Sequence, residues 1–175
     1  MKNLFITSFL LITAVVSFSQ QKKNNLTFFA ARSFPLSQDY SREFGGSIQA
    51  VFPNKKNKGD LIIEAYFNHF KNKANYNTGI NYIAATLGYK AHLKYNFYLY
   101  GGGGTIVETA KDYSIEGGGL FINTGLGYKI TFSNNSGIDI LPRINVAVGD
   151  VFVKHWISIS IGYAFNISHE KTAKK

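Results

Sequence analysis

Along most of the chain, apolar and polar residues alternate one for one. In "WISISIGYAF" (Trp156 to Phe165), Ile157, Ile159, Ile161, Tyr163 and Phe165 point one way, with Ser158, Ser160, Gly162 and Ala164 opposite. Successive side chains of a strand fall on opposite faces, so this period predicts a strand with one apolar and one polar face. Eight segments read this way or as short apolar runs. They are Leu26–Phe34, Gly45–Phe52, Leu61–Phe70, Ile80–Leu93, Phe97–Val107, Leu120–Phe132, Ile138–Gly149 and Trp156–Ile167. Between them lie Asn, Lys, Gly, Asp and Ser, which is turn chemistry. Neither a second long apolar stretch nor a heptad repeat is present. The expected fold is all-β: an eight-stranded, antiparallel, up-and-down barrel.

Six strands can be given faces. Ile138, Ile140, Ile144, Val146 and Val148 oppose Asp139, Arg143, Asn145, Ala147 and Gly149. Leu120, Ile122, Leu126, Tyr128, Ile130 and Phe132 oppose Asn123, Gly125, Gly127, Lys129 and Thr131. In the fourth strand Ile83, Ala85, Leu87, Tyr89, Ala91 and Leu93 oppose Tyr82, Ala84, Thr86, Gly88, Lys90 and His92. The second sets Ile48, Ala50 and Phe52 against Ser47 and Gln49, and the third sets Leu61, Ile63, Ala65 and Phe67 against Glu64, Tyr66 and Asn68. The first strand, "LTFFAARSF", is apolar on both faces, and "YGGGGT" blanks the fifth. Their facing stays open.

The pattern alone does not say which face meets water. A soluble ligand-binding barrel hides its apolar face inside, whereas an outer-membrane barrel turns it into lipid. Two features favour the second. The polar face is built mostly from Ser, Gly, Ala, Thr and Asn, which suit a narrow lumen better than an open water-facing surface. Aromatics on the apolar face also gather at one level. If the chain starts in the periplasm, Phe52, Tyr89, Phe97, Tyr128, Phe132, Tyr163 and Phe165 all lie near the periplasmic end, as an aromatic girdle would. Phe67 is the best candidate for an outer girdle. Pro35–Phe44, Lys71–Gly79 and Glu108–Gly119 become the longer outer loops, while Lys94–Asn96 and Ser133–Gly137 become short inner turns.

The N-terminus fits this placement. "MKNLFITSFLLITAVVSFSQQ" has Lys2 ahead of an apolar run from Leu4 to Val16, then small residues before Gln20, the layout of a cleaved secretory signal peptide over residues 1–19. The barrel is then expected over 20–167, with a basic periplasmic tail at 168–175. Cysteine is absent, so neither a lipidated cysteine nor a disulfide scaffold is available. The formal charge of +9 falls to +8 when Lys2 leaves, and much of it sits in "NKKNKGD" and "HEKTAKK". These are expected to be solvated turns and tail that also suit anionic lipid head groups. With no aromatic-basic platform, nucleic acid is not an expected partner.

The signal peptide ending "SFSQQ", the eight alternating strands and the last strand "ISISIGYAF" together resemble the small outer-membrane barrels of Bacteroidota, of the OmpX and OmpA-barrel type. The resemblance covers the whole mature chain. It implies that the barrel-assembly machinery reads the aromatic end of the last strand, here Tyr163 and Phe165, as an insertion signal. The chain departs from many members by continuing past that strand. Separately, "IEAYFNHF", "LGYKAHL" and "PRINVAVGD" resemble the conjugative-transposon TraO family, which implies a part in conjugal transfer.

Glu64, Lys90, Lys129, Asp139 and Arg143 carry the charge expected in the lumen. Lys129 and Asp139 are symmetric about a turn, so they are cross-strand neighbours, and Glu64 and Arg143 sit near mid-height. A polar plug with Gln49, Tyr66, Tyr82, Asn123 and Asn145 is the expected arrangement. An acyl-transfer site would need His beside Ser at the outer edge, but His155 and Ser158 fall on opposite faces. His69 has no evident Ser partner, His92 is expected in the lumen and His169 in the tail. No spacing indicates a metal or cofactor, and Gly101–Gly104 more simply gives room to tyrosines. Tyr40, Tyr76 and Tyr113 lie in outer loops that can offer a surface to extracellular or envelope partners. The expected role is therefore non-catalytic. The alternatives are conjugation or secretion, a lipid-modifying enzyme, and a soluble periplasmic barrel.

Overall fold

The computed structural model describes residues 24–37, 40–54, 59–73, 79–110, 115–133, 136–149 and 153–167. The expected signal peptide and basic tail lie outside the described residues, as do Tyr76 and Tyr113. Eight strands follow in order: β1 (Asn25–Pro35), β2 (Glu43–Asn54), β3 (Gly59–Lys71), β4 (Gly79–His92), β5 (Phe97–Ala110), β6 (Ile115–Thr131), β7 (Gly137–Gly149) and β8 (Val153–Asn166). Each pairs antiparallel with its neighbours in the chain, and β1 closes on β8 from Asn25↔Asn166 to Pro35↔Trp156. The fold is the expected all-β, eight-stranded closed barrel. Closure gives every strand two partners and leaves no sheet edge.

All six assigned strands keep their faces. Along β8 burial alternates residue by residue, with Trp156, Ser158, Ser160, Gly162 and Ala164 inside. Ile157, Ile159 and Ile161 are 40%, 47% and 59% exposed on the outside, the opposite of what a soluble barrel requires. The two open strands are resolved by the same alternation. β1 turns Thr27, Phe29, Ala31 and Ser33 inward, and β5 turns Tyr98, Tyr100, Ile106 and Glu108 inward. β6 starts at Ile115, well before the expected Leu120, because Gly117, Gly118 and Gly119 pair with β5 although they carry no side chain to show a period.

The turn from β4 to β5 is tight. Phe97 donates its amide to the Lys94 carbonyl, and Tyr95 and Asn96 have φ of 58° and 66°. Two successive left-handed residues match the type I′ hairpin turn, which agrees with strand twist and favours Asn and Gly over a ring-bearing residue. Tyr95→Asn should therefore stabilise the barrel by about 1 kcal/mol, read as a higher urea midpoint in detergent micelles.

Candidate functional site in the lumen

The interior is stacked in levels. Near the end where β1 begins and β8 finishes, Lys90 of β4 reaches across to Asp139 of β7, with Nζ 3.0 Å from Oδ2. The same ammonium lies 4.1 Å from the ring centre of Tyr98, whose hydroxyl donates to the other Asp139 oxygen. Lys129 is Asp139's register partner, as symmetry about the turn predicts. The lysine that pairs with Asp139 is nonetheless Lys90. In a lumen this narrow, a side chain from a distant strand can reach a carboxylate as readily as a neighbour on the same wall.

At mid-height Glu64 of β3 meets Arg143 of β7, with Nη1 donating to Oε1 at 2.6 Å and both side chains fully buried. Glu64 is held by three further donors: Gln49 Nε2 at 3.1 Å, Tyr100 Oη at 2.8 Å and Asn123 Nδ2 at 3.3 Å. Arg143 gives its second amino group to Ser160 at 3.2 Å and Ser47 at 3.4 Å, and its guanidinium lies 5.2 Å from the Tyr66 ring centre. These contacts come from four other strands, β2, β5, β6 and β8, so the pair ties the wall together across the axis.

Above it the lumen becomes aromatic. Trp156 stacks on Tyr82 and Phe121 with ring centres 5.6 Å away in each case, and meets Phe70 edge-on at 5.6 Å. Its indole N–H donates to the Tyr66 hydroxyl at 3.0 Å. Asn145 donates to Ser158 at 3.0 Å, and Tyr82 to Glu108 at 3.2 Å. Below the ion pair a second apolar group gathers Phe29, Val51, Ile62, Tyr98, Tyr100 and Leu141. The lumen is thus less polar than the small-residue face suggests, with an ionic layer between two apolar ones.

Tyr98 and Tyr100 are absent from the expected set, because the fifth strand gives no face. Their signal was in the glycines opposite, Gly127 for Tyr98 and Gly125 for Tyr100. Gly127 lies against the Tyr98 ring, and on β5 itself a Cβ at Gly102, two residues along, would stand 2.7 Å from the Tyr100 hydroxyl. A lone glycine facing a tyrosine across a strand pair makes room for an inward ring.

The aromatics expected at one rim are also placed. Tyr89, Phe97, Phe132, Tyr163 and Phe165 are exposed on the outer wall near the terminal end, with Phe52 and Tyr128 half-buried beside them. They touch in pairs: Phe97 with Tyr128 at 4.9 Å, Tyr163 with Phe165 at 4.6 Å, and Phe132 with Tyr163 at 6.4 Å. His155 and Ser158 face opposite sides, as their spacing requires. His69 meets Asn81 at 2.8 Å. His92 has its ring exposed at the rim, 2.9 Å from Asp60, rather than in the lumen, because it is the last residue of β4.

Solved structures share this architecture. Ail, the attachment invasion locus protein of Yersinia pestis, superposes with a TM-score of 0.57 at 16% identity, over 83% of this chain and 100% of that one. Neisserial surface protein A gives 0.54 at 18%, over 81% and 95%. The N-terminal β-barrel domain of Pseudomonas aeruginosa OprF gives 0.54 at 15%, over 83% and 100%. The fold is that of the small outer-membrane barrels. At these identities the likeness is one of fold. No protein-family model matches the chain, and no curated protein matches it.

Proposed function

We propose that the chain is a non-catalytic outer-membrane barrel with a structural or surface-interaction role, its outer loops making the contacts. The observation that carries this reading is the inverted polarity of the wall. Leu87, Leu120, Ile122 and Ile161 are 59–65% exposed, while Glu64, Arg143, Gln49 and Asn145 are fully buried. A continuous exposed apolar surface of this kind has no counterpart on a soluble monomer and needs lipid against it. The start of β1 and the end of β8 at one end, with the two longest connections (36–42 and 72–78) at the other, favour a periplasmic N-terminus, although the β5–β6 connection expected to be long is only 111–114. Phe52, Tyr89, Phe97, Tyr128, Phe132, Tyr163 and Phe165 then form the periplasmic girdle, and Tyr163 with Phe165 serves as the insertion signal. The envelope of a Gram-negative bacterium of the Bacteroidota type is the matching location.

The three segments that resemble the TraO family supply Glu64, Lys90 and Arg143 to the lumen, where Glu64 meets Arg143 and Lys90 meets Asp139. A conjugal-transfer role is therefore the second reading, and gene neighbourhood separates the two. For the barrel itself the test is a detergent gel of membrane-extracted protein, unboiled and boiled. Outer-membrane fractionation with a band that shifts on boiling is the expected result. A soluble periplasmic protein without the shift would overturn it.

A further inference from the structure

On the outward face at the far end of β1 and β2, two arginines and two phenylalanines form a checkerboard. Arg32 pairs in register with Phe44 of β2, and its guanidinium lies 4.4 Å from the centre of that ring. Arg42, just ahead of β2, lies 5.4 Å over Phe34 of β1. On the β8 side the patch continues into Ile157 and Ile159, the register partners of Phe34 and Arg32. Phe44 is 63% exposed, so the patch is open to whatever surrounds the barrel.

Arg32 is out of place by composition. Among the described residues it is the one permanently charged side chain on the outward face between the strand ends. Neither guanidinium has an acidic partner among the described residues. Glu43, between Arg42 and Phe44 in sequence, turns to the inward side, where it accepts from Ser41 at 3.2 Å and lies 3.7 Å from Lys71. Stacking on a ring orients a guanidinium and leaves its N–H edges free, but it does not neutralise the charge.

Height decides what can do so. From Leu26, level with the Phe165 ring, the strand climbs about 15 Å to Arg32 and about 20 Å to Phe34, at roughly 3.3 Å per residue and a tilt near 40°. The apolar band of such a barrel is about 25 Å tall, so Arg42 stands near its outer boundary, and Arg32 lies in its outer half, with a long side chain that carries the guanidinium towards that boundary. A charge facing hydrocarbon is destabilising in a depth-dependent way, and at that boundary the oxyanions of lipid head groups are the available counter-charge.

We propose that Arg32 and Arg42, held on Phe44 and Phe34, form a binding site for the phosphate of a phosphorylated outer-leaflet lipid. The inference rests on the outer-membrane reading above. The planar fork of each arginine suits bidentate contact with a phosphate, while the phenylalanines and Ile157 and Ile159 receive the first carbons of the acyl chains.

The test uses the full mature chain folded in detergent, with diphosphorylated lipid A, phosphatidylcholine and inorganic phosphate as probes, bound species being counted by native mass spectrometry. The wild-type barrel should prefer lipid A to phosphatidylcholine by tenfold or more. Arg32→Gln with Arg42→Gln should lose that preference, Arg32→Lys with Arg42→Lys should keep part of it, and Lys71→Gln with Lys73→Gln should keep all of it. A double glutamine variant that binds lipid A like the wild type overturns the site. Equal competition by inorganic phosphate overturns the lipid as its source. Each variant is also run boiled and unboiled. A wild type without the gel shift defeats the outer-membrane reading itself, whereas an intact shift with unchanged lipid preference defeats only this inference.

Discussion

Arg143→Met with Glu64 left in place is expected to destabilise the barrel by about 3–5 kcal/mol, the usual cost of stranding one partner of a buried ion pair. Glu64 is fully buried, and its carboxylate is shared among Arg143, Gln49, Tyr100 and Asn123. The three neutral donors orient it but bring no positive charge. Methionine fills much of the arginine's volume, so the loss comes from charge rather than from a cavity. Replacing both partners, Glu64→Gln with Arg143→Met, removes the stranded charge and should recover all but about 1–2 kcal/mol. Trp156 is the chain's one tryptophan and lies in the adjoining level, so its fluorescence follows urea unfolding of each variant in micelles. A single variant within about 1 kcal/mol of the wild type would mean that the pair is hydrated in the folded barrel.

The wall of this barrel was legible from the sequence and its filling only in part. Period two fixes the face of most residues on β8, β7 and β4, because consistent apolar side chains on one side leave no other assignment. It fails on β1, where Phe28 and Phe29 offer rings to both faces, and on β5, where four glycines interrupt it. Glu64 and Arg143 could be matched by height alone, since each sits mid-strand. Asp139 could not be given its partner, because symmetry about a turn shows only who stands alongside, and Lys90 arrives from across the lumen. Phe121, Leu141 and Trp156 were hidden for a different reason. An interior between lipid-facing walls can be apolar without changing the alternation, so nothing in the period separates a ring in the lumen from a ring at a strand end.

Those hidden residues carry the second large effect. Trp156→Ala should cost about 3–5 kcal/mol, the range for deleting a large buried aromatic. The indole is fully buried and touches Tyr66, Phe70, Tyr82 and Phe121, rings contributed by β3, β4 and β6. Alanine would leave those four rings facing a void that a closed sheet cannot collapse to fill, since strand spacing is set by the ladder hydrogen bonds. Trp156→Phe separates packing from polarity. It keeps most of the stack but removes the N–H donated to Tyr66, so its loss should be nearer 1–2 kcal/mol. With the tryptophan gone, unfolding is followed by the urea concentration at which the unboiled gel band loses its shift. A Trp156→Ala barrel as stable as the wild type would mean that the aromatic level adds nothing to closure and that the layer around Glu64 and Arg143 holds the wall alone. Losses that add when Trp156→Ala and Arg143→Met are combined would show that the two levels bind the strands independently, one through charge and one through ring contact.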